Sequence, residues 1–331
     1  MALADTLQAS WYGTRTAPLW TYPLARLYGA LTALRRGLYR IGWLRSTKLP
    51  VPVVVVGNIT AGGTGKTPLT LALVDALTAR GWRPGVVSRG YGGTQREPAL
   101  LDDCPDPARY GDEPCLIRAS GVPVAVGRDR PAAAELLVQA GCNVVIADDG
   151  LQHYALARDV EICVVDGARR FGNGRLLPAG PLREPLSRLR RVDFRVCNGE
   201  AVEGEYAMHL AGGTAVSLTD GATRTLSDFG GQTVHAVAAI GHPERFFESL
   251  RAQGLTVIGH AFADHHAFVP QDLAVAGAAP LLMTDKDAIK CQSFAHPGWW
   301  RVPVRAVLDD DFIVALCRRL DEAAGRLPAA R

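Results

Sequence analysis

Residues 51–74, VPVVVVGNITAGGTGKTPLTLALV, constrain the fold more than any other stretch of the chain. Val53 to Val56 is an unbroken β-branched run, the mark of a strand buried on both faces of a parallel sheet. A glycine-rich turn follows, and Pro68 to Leu77 then carries apolar residues at helical spacing. A strand, a glycine loop, Gly-Lys-Thr and a helix, in that order, form a phosphate-binding loop in its required context. Thr60, Ala61, Gly62, Gly63, Thr64 and Gly65 supply the cradle, where backbone N–H groups and a helix N-terminus meet a polyphosphate. Lys66 is placed to reach the β- and γ-phosphates, and the Thr67 hydroxyl to ligate Mg²⁺. The loop opens on Thr60, where the common pattern has glycine.

The remaining composition narrows the class. With 331 residues, 48% of them hydrophobic and 21% charged, the chain has the makeup of a globular protein with a large core and two lobes. No run reaches the roughly 18 consecutive apolar residues of a spanning helix, and no N-terminal segment reads as a signal peptide. Seven cysteines, widely spaced and without a C-x-x-C, fit neither a disulfide framework nor a zinc site.

The net charge of +3 is ordinary, but its distribution is not: no acidic residue lies between Asp5 and Asp75. Over residues 18–45 the spacing predicts an amphipathic helix, with Leu27, Leu31, Leu34, Leu38 and Ile41 flanked by Trp20, Tyr22, Tyr28, Tyr39 and Trp43. Arginines on the remaining face complete the composition of a helix lying in a membrane interface. A helix packed on the core with solvated arginines is the plainer alternative. Nucleic acid is a weaker third option, because the basic residues sit with large apolar ones and the rest of the chain is not basic.

Beyond the loop, strand and helix patterns alternate. Strands are predicted at Arg83–Val87, Val122–Val126, Asn143–Ala147 and Val160–Val165, with a helix over residues 131–140. This rhythm predicts an α/β fold: a doubly wound, P-loop NTPase-type parallel sheet with its site at the strands' C-terminal ends. The expected organisation is an amphipathic N-terminal segment (1–48), a P-loop core (49–215), a glycine-rich linker (216–232) and a smaller C-terminal α/β lobe (233–331) closed by a helix over residues 311–323.

Four further clusters carry chemistry. NVVIADDGLQH, residues 143–153, ends an apolar strand on Asp148 and Asp149, where P-loop enzymes hold Mg²⁺. YGDEP, residues 110–114, sets Asp112 and Glu113 at a helix start. ADHHAF, residues 263–268, gathers Asp264, His265 and His266, and an acid–base or orienting role for one histidine is better motivated than metal ligation. MTDKDAIK, residues 283–290, offers Lys286 to a phosphate, or else a solvated helix start.

TAGGTGKTP, SRGYGG, GDEP, DDGLQH, PAGPLREP, the ADHH cluster and TDKDAIK occur in this order over residues 57–290, and the ordered set resembles the tetraacyldisaccharide 4′-kinase (lipid A 4′-kinase) family. The resemblance implies ATP and Mg²⁺ as cofactors and an acylated glucosamine disaccharide 1-phosphate as acceptor, phosphorylated on its 4′-hydroxyl. It implies a peripheral location on the cytoplasmic face of the inner membrane and no obligate protein partner. Carried over, Lys66 and Thr67 handle phosphate and metal, and Asp148 and Asp149 complete the Mg²⁺ site. Asp112 matches the general base and His265 its partner, with His266 as the alternative. Asn58, Arg130, Gln152, His153, Arg183 and Glu184 match positions lining the cleft, with Arg128 as the alternative to Arg130. The competing class is a membrane-associated P-loop ATPase switch. Its K-G-G-x-G-K-[ST] loop needs a lysine where this chain has Ala61.

Overall fold

The computed structural model describes residues 3–13 and 15–326. Two N-terminal helices, α1 (Leu3–Tyr12) and α2 (Thr21–Arg40), precede the first lobe. That lobe runs β1 (Val53–Gly57), α3 (Lys66–Thr78), β2 (Pro84–Ser88), β3 (Ala99–Leu100), α4 (Pro107–Tyr110), α5 (Asp112–Arg118), β4 (Val124–Val126), α6 (Arg130–Gln139), β5 (Val144–Ala147), β6 (Val160–Asp166), β7 (Phe194–Asn198) and β8 (Tyr206–Ala211). The second lobe holds β9 (Thr214–Ser217), β10 (Thr223–Thr225), β11 (Thr233–Ala238), α7 (Pro243–Ala252), β12 (Thr256–Ala261), α8 (Pro270–Leu273), β13 (Leu281–Thr284), α9 (Asp285–Cys291) and β14 (Trp299–Val302). The chain ends on β15 (Arg305–Leu308) and α10 (Asp310–Ala324).

The first sheet has nine strands in the order β15-β8-β7-β6-β1-β5-β2-β4-β3, parallel except at its two edges. Every residue of β1, β2, β4, β5 and β6 is buried, which is why these segments read as continuous apolar runs. β1 lies between β5 and β6, so the loops leaving β1 and β5 open side by side at the strands' C-terminal ends. The second sheet, β10-β9-β14-β13-β11-β12, has six strands and its own cores on both faces.

Two expectations about the chain's course need correction. The stretch read as a linker, residues 216–232, contributes β10 and the end of β9 to the second sheet. Near the end of the chain two strands are separated at Pro303, β14 in the second sheet and β15 in the first. The last helix therefore does not close the second lobe. Phe312, Ile313, Leu316 and Leu320 of α10 pack with Phe194, Met208 and Leu73 in the first lobe's core. Their spacing of one apolar contact per turn defines a buried face, and each such side chain contributes about 1.5–3 kcal/mol.

Helix α2 is also turned differently from its simplest reading. Its arginine and tyrosine side faces the protein: Tyr28 Oη donates to the Arg183 carbonyl (3.0 Å), Arg35 Nη1 to the Gln152 carbonyl (3.3 Å), and Arg36 pairs with Glu184 (3.6 Å). The leucines face outward, with Leu27, Leu31 and Leu34 at 57%, 56% and 60% exposure and Trp43 at 80%. Among the described residues no helix is long and apolar enough to cross a membrane.

Candidate active site

The phosphate loop leaves β1 and is held in place by the protein's own hydrogen bonds. Asn58, fully buried, donates through Nδ2 to the Gly62 carbonyl (3.3 Å) and the Thr60 hydroxyl (3.4 Å). Ala61 N–H donates to the Pro181 carbonyl (2.7 Å), and Tyr12 Oη to that of Ala61 (3.2 Å). Gly65 must be glycine on two counts. Its φ is +95°, and a Cβ there would stand 2.7 Å from Asn198 Nδ2. That amide donates to the Thr64 carbonyl (3.2 Å), fixing the loop's last turn. Lys66 begins α3, and its Nζ lies 3.5 Å from Asn58 Oδ1 and 3.6 Å from Asp149 Oδ1. Thr67 follows it on the first turn.

Asp148 and Asp149 stand at the end of β5, beside this lysine. They are adjacent in sequence but electrostatically unlike. Asp148 is buried, accepts from Thr70 Oγ1 (3.0 Å) through one oxygen, and leaves the other without a hydrogen-bond partner. Burial, then Glu113 and Asp149, push its carboxyl up to about 7 against the pull of Lys66 and Thr70. Asp149 is also desolvated, but Lys66, Arg183 and Arg130 outweigh that and hold it below the ordinary carboxylate range. Its backbone has φ 47°, a left-handed conformation that costs a non-glycine residue energy and recurs at functional sites. Arg130 braces it by donating to its carbonyl (2.9 Å), and Arg183 reaches its carboxylate (3.3 Å).

A hydroxyl and two carboxylates form an all-oxygen donor set, and the orphaned Asp148 oxygen is a buried acceptor in want of a cation. This fits Mg²⁺, which is held by one or two carboxylates together with substrate phosphates. Among the described residues no three His, Cys, Asp or Glu side chains form a metal cage, as such a site does not require. Without the cation Asp148 is a destabilising group. Folded, it carries a proton up to about pH 7; unfolded, only up to about 3.8, so its contribution to stability is lost as pH rises through about 7. Asp148→Asn should therefore raise the melting temperature of the nucleotide-free protein at pH 8 by several degrees and flatten its dependence between pH 4 and 7. Calorimetry across that range checks this.

Opposite the loop, the lobes meet at a carboxylate–imidazole pair. Gly111, with φ +92°, abuts the SRGYGG turn so closely that a Cβ would lie 2.4 Å from the Tyr91 carbonyl oxygen. This contact sets Asp112 at the first residue of α5. His265 comes from the second lobe, in the loop after β12, with φ 63°. Its Nδ1 lies 3.2 Å from Asp112 Oδ2, and its ring stacks at a tilt beside Tyr91, 5.1 Å between centroids. His266 points elsewhere, bonding Asp272 at 2.8 Å. Lys286 on α9 reaches Glu113 (3.4 Å), Asp264 (3.5 Å) and His265 Nε2 (3.4 Å), so in this structure it meets carboxylates. Burial pulls its ammonium down, but Glu113, Asp264 and Asp112 together leave it raised.

The remaining candidates fall in two groups. Arg130 is buried near the aspartates, whereas Arg128 is exposed. Burial pulls the Arg130 guanidinium down, with Asp149 and Asp148 opposing. Gln152 donates to the Asn58 carbonyl (3.0 Å) and to Glu184 (3.2 Å). Glu184 is itself buried among Tyr154, Arg188 and Arg36, so it braces the wall by which Arg183 is presented. His153 is neutral at ordinary pH, since burial and then Arg130 and Arg158 push it down to about 4.

A family model described as tetraacyldisaccharide-1-P 4′-kinase matches residues 17–321, nearly the whole chain. The chain belongs to this kinase family. The tetraacyldisaccharide 4′-kinase of Stenotrophomonas maltophilia is 54% identical over 324 residues, covering 94% of this chain and 96% of that protein. Its counterpart in Xanthomonas campestris pv. campestris is 51% identical, with 96% of each covered. The crystal structure of LpxK from Aquifex aeolicus in complex with ATP superposes with a TM-score of 0.75 at 28% identity, covering 90% of this chain and 98% of that one. The P-loop NTPase-like α/β fold, the kinase activity and the use of ATP follow for this family member.

Within this kinase, sequence reading missed several residues around the site. Thr70, one turn beyond the loop, bonds Asp148. Asn198 joins the loop to Arg245 of α7, whose guanidinium donates to Asn198 Oδ1 (3.0 Å) and so ties the second lobe to the loop. Asn198 ends a short strand, and Thr70 continues a helical pattern, so neither stands out as a motif.

Proposed function

We propose that this kinase transfers the γ-phosphoryl group of ATP to the 4′-hydroxyl of a tetraacylated glucosamine disaccharide 1-phosphate, a step of lipid A biosynthesis, on the cytoplasmic face of the inner membrane. The observation that carries this reading is the Asp112–His265 pair, contributed by two lobes and facing the phosphate loop. The acceptor oxygen attacks the γ-phosphorus and the bond to the bridging oxygen of ADP breaks. Asp112 takes the hydroxyl proton, with His265 orienting its carboxylate. Lys66 draws the phosphate oxygens away from the acceptor and offsets charge on the transferring group. Thr67, Asp148 and Asp149 would hold Mg²⁺, which would supply further charge neutralisation on the phosphates. Asn58, Arg130, Gln152, His153 and Arg183 line and order the cleft, with Glu184 behind them. The test is γ-labelled ATP with a detergent-dispersed acceptor: label should appear in the lipid as a 4′-phosphomonoester. Label released only as inorganic phosphate would contradict the assignment.

The outward leucines of α2 support peripheral attachment, with no protein partner or nucleic acid required. They form an apolar face on a helix whose polar side is engaged by the protein, so the membrane is its natural cover. Replacing Leu27, Leu31 and Leu34 with Asp should move the protein from the floated vesicle layer to the bottom of the gradient in flotation with anionic vesicles. High salt alone should release only part of it, since apolar burial is not screened. Undiminished flotation of the triple variant would place the attachment elsewhere.

A further inference from the structure

Helix α9 carries two lysines one turn apart, Lys286 and Lys290, both facing α5 of the other lobe. Lys286 is occupied by Glu113 and Asp264. Lys290 has a different set of neighbours. Its side chain is only 8% exposed, and Nζ lies 2.9 Å from Asp287 Oδ1. Asp287 is fully buried, and its other oxygen accepts from Ala239 N–H (3.0 Å) and the Thr284 hydroxyl (2.7 Å), so it cannot turn away. The ammonium also donates to the His266 carbonyl (3.0 Å) and lies over the Phe268 ring, 5.1 Å from its centroid. On its remaining side is Asp112 Oδ2, at 3.8 Å.

One immobilised ammonium therefore lies beside the carboxylate of the pair and holds the backbone next to its imidazole. It meets Asp112 directly and reaches His265 through the carbonyl of the next residue. We propose that Lys290 is a positioning residue, a fixed charge from the second lobe that seats the Asp112 carboxylate against His265 when the lobes are together. The assignment rests on the reading of Asp112 as the base. A lysine serving only to neutralise Asp287 would have no need of contact with α5. Here the same atom closes the contact between lobes, at the side chain that must be aimed at the acceptor hydroxyl. A base displaced by about 1 Å can cost on the order of 100-fold in rate.

Lys290→Met alone would leave the Asp287 carboxylate buried and unpaired, so it risks misfolding. The working variant is K290M/D287N, which removes both charges while the new amide oxygen still accepts from Ala239 and Thr284. With ATP and detergent-dispersed acceptor, its kcat should fall by about 100-fold, with KM for ATP unchanged and a cooperative melt retained. The same two changes placed in Asp112→Asn should cost nothing further in single turnover, because Lys290 acts through the group already lost. Near-wild-type kcat in K290M/D287N, or an equal fold-loss in both backgrounds, overturns the positioning role and leaves the base assignment standing. Full activity in Asp112→Asn alone overturns the base assignment, and the role of Lys290 with it.

Discussion

Lys66→Ala should lower kcat by roughly 10²–10³-fold or more while leaving the fold intact. Lys66 is the one charged side chain of the phosphate loop, and the loop's backbone N–H groups cannot supply a full positive charge. Its ammonium rests between Asn58 and Asp149, 3.5 and 3.6 Å away, among polar groups. Removing it takes from Asp149 the largest of the cations that hold its carboxyl low, so that carboxyl should move back toward its ordinary value, with Arg183 and Arg130 remaining. Turnover and a melting curve, with and without ATP, check this. A folded Lys66→Ala protein with near-normal turnover would remove the loop from the mechanism.

The second large effect belongs to Asp112. Asp112→Ala should lower kcat by about 10²–10⁴-fold, the range of general-base contributions, and change KM for ATP far less. The reason is positional. Asp112 begins α5, away from the loop's cradle, and its neighbours are His265, Lys290 and the SRGYGG turn. His265→Ala should show the same split between kcat and KM. Loss of ATP affinity as the main effect of either substitution would move the pair from the acceptor to the nucleotide.

Much of this architecture is legible in the sequence because it rests on local signals. β1, the glycine loop and α3 announce themselves through a β-branched run, glycines at strained positions and helical periodicity. Asp148, Asp149 and Asp112 stand at strand and helix ends, where a sheet of this type collects its site. What escaped reading is what periodicity leaves undetermined. The apolar face of α10 was visible, but a face does not say which lobe it covers, and it covers the first. The leucine stripe of α2 was visible too, but not that its tyrosines and arginines turn inward. β8, β9 and β10 are short, near sheet edges and partly exposed, so they look like a polar loop. The roles of Lys286 and Lys290 were hidden for a similar reason. Two lysines one turn apart read as a solvated face until the first lobe places carboxylates against them. The choice between His265 and His266 likewise needed coordinates, since only tertiary structure gives Asp112 to one and Asp272 to the other.

The central claim is that the two lobes close a single proton-accepting pair over the acceptor hydroxyl. It is tested most directly by a double-mutant cycle on Asp112 and His265, read in single turnover with γ-labelled ATP and detergent-dispersed acceptor. If the residues act as a unit, Asp112→Ala/His265→Ala should be little slower than the poorer single variant. Losses that multiply in full would mean that the two side chains act independently, contradicting a shared base assembled across the lobes.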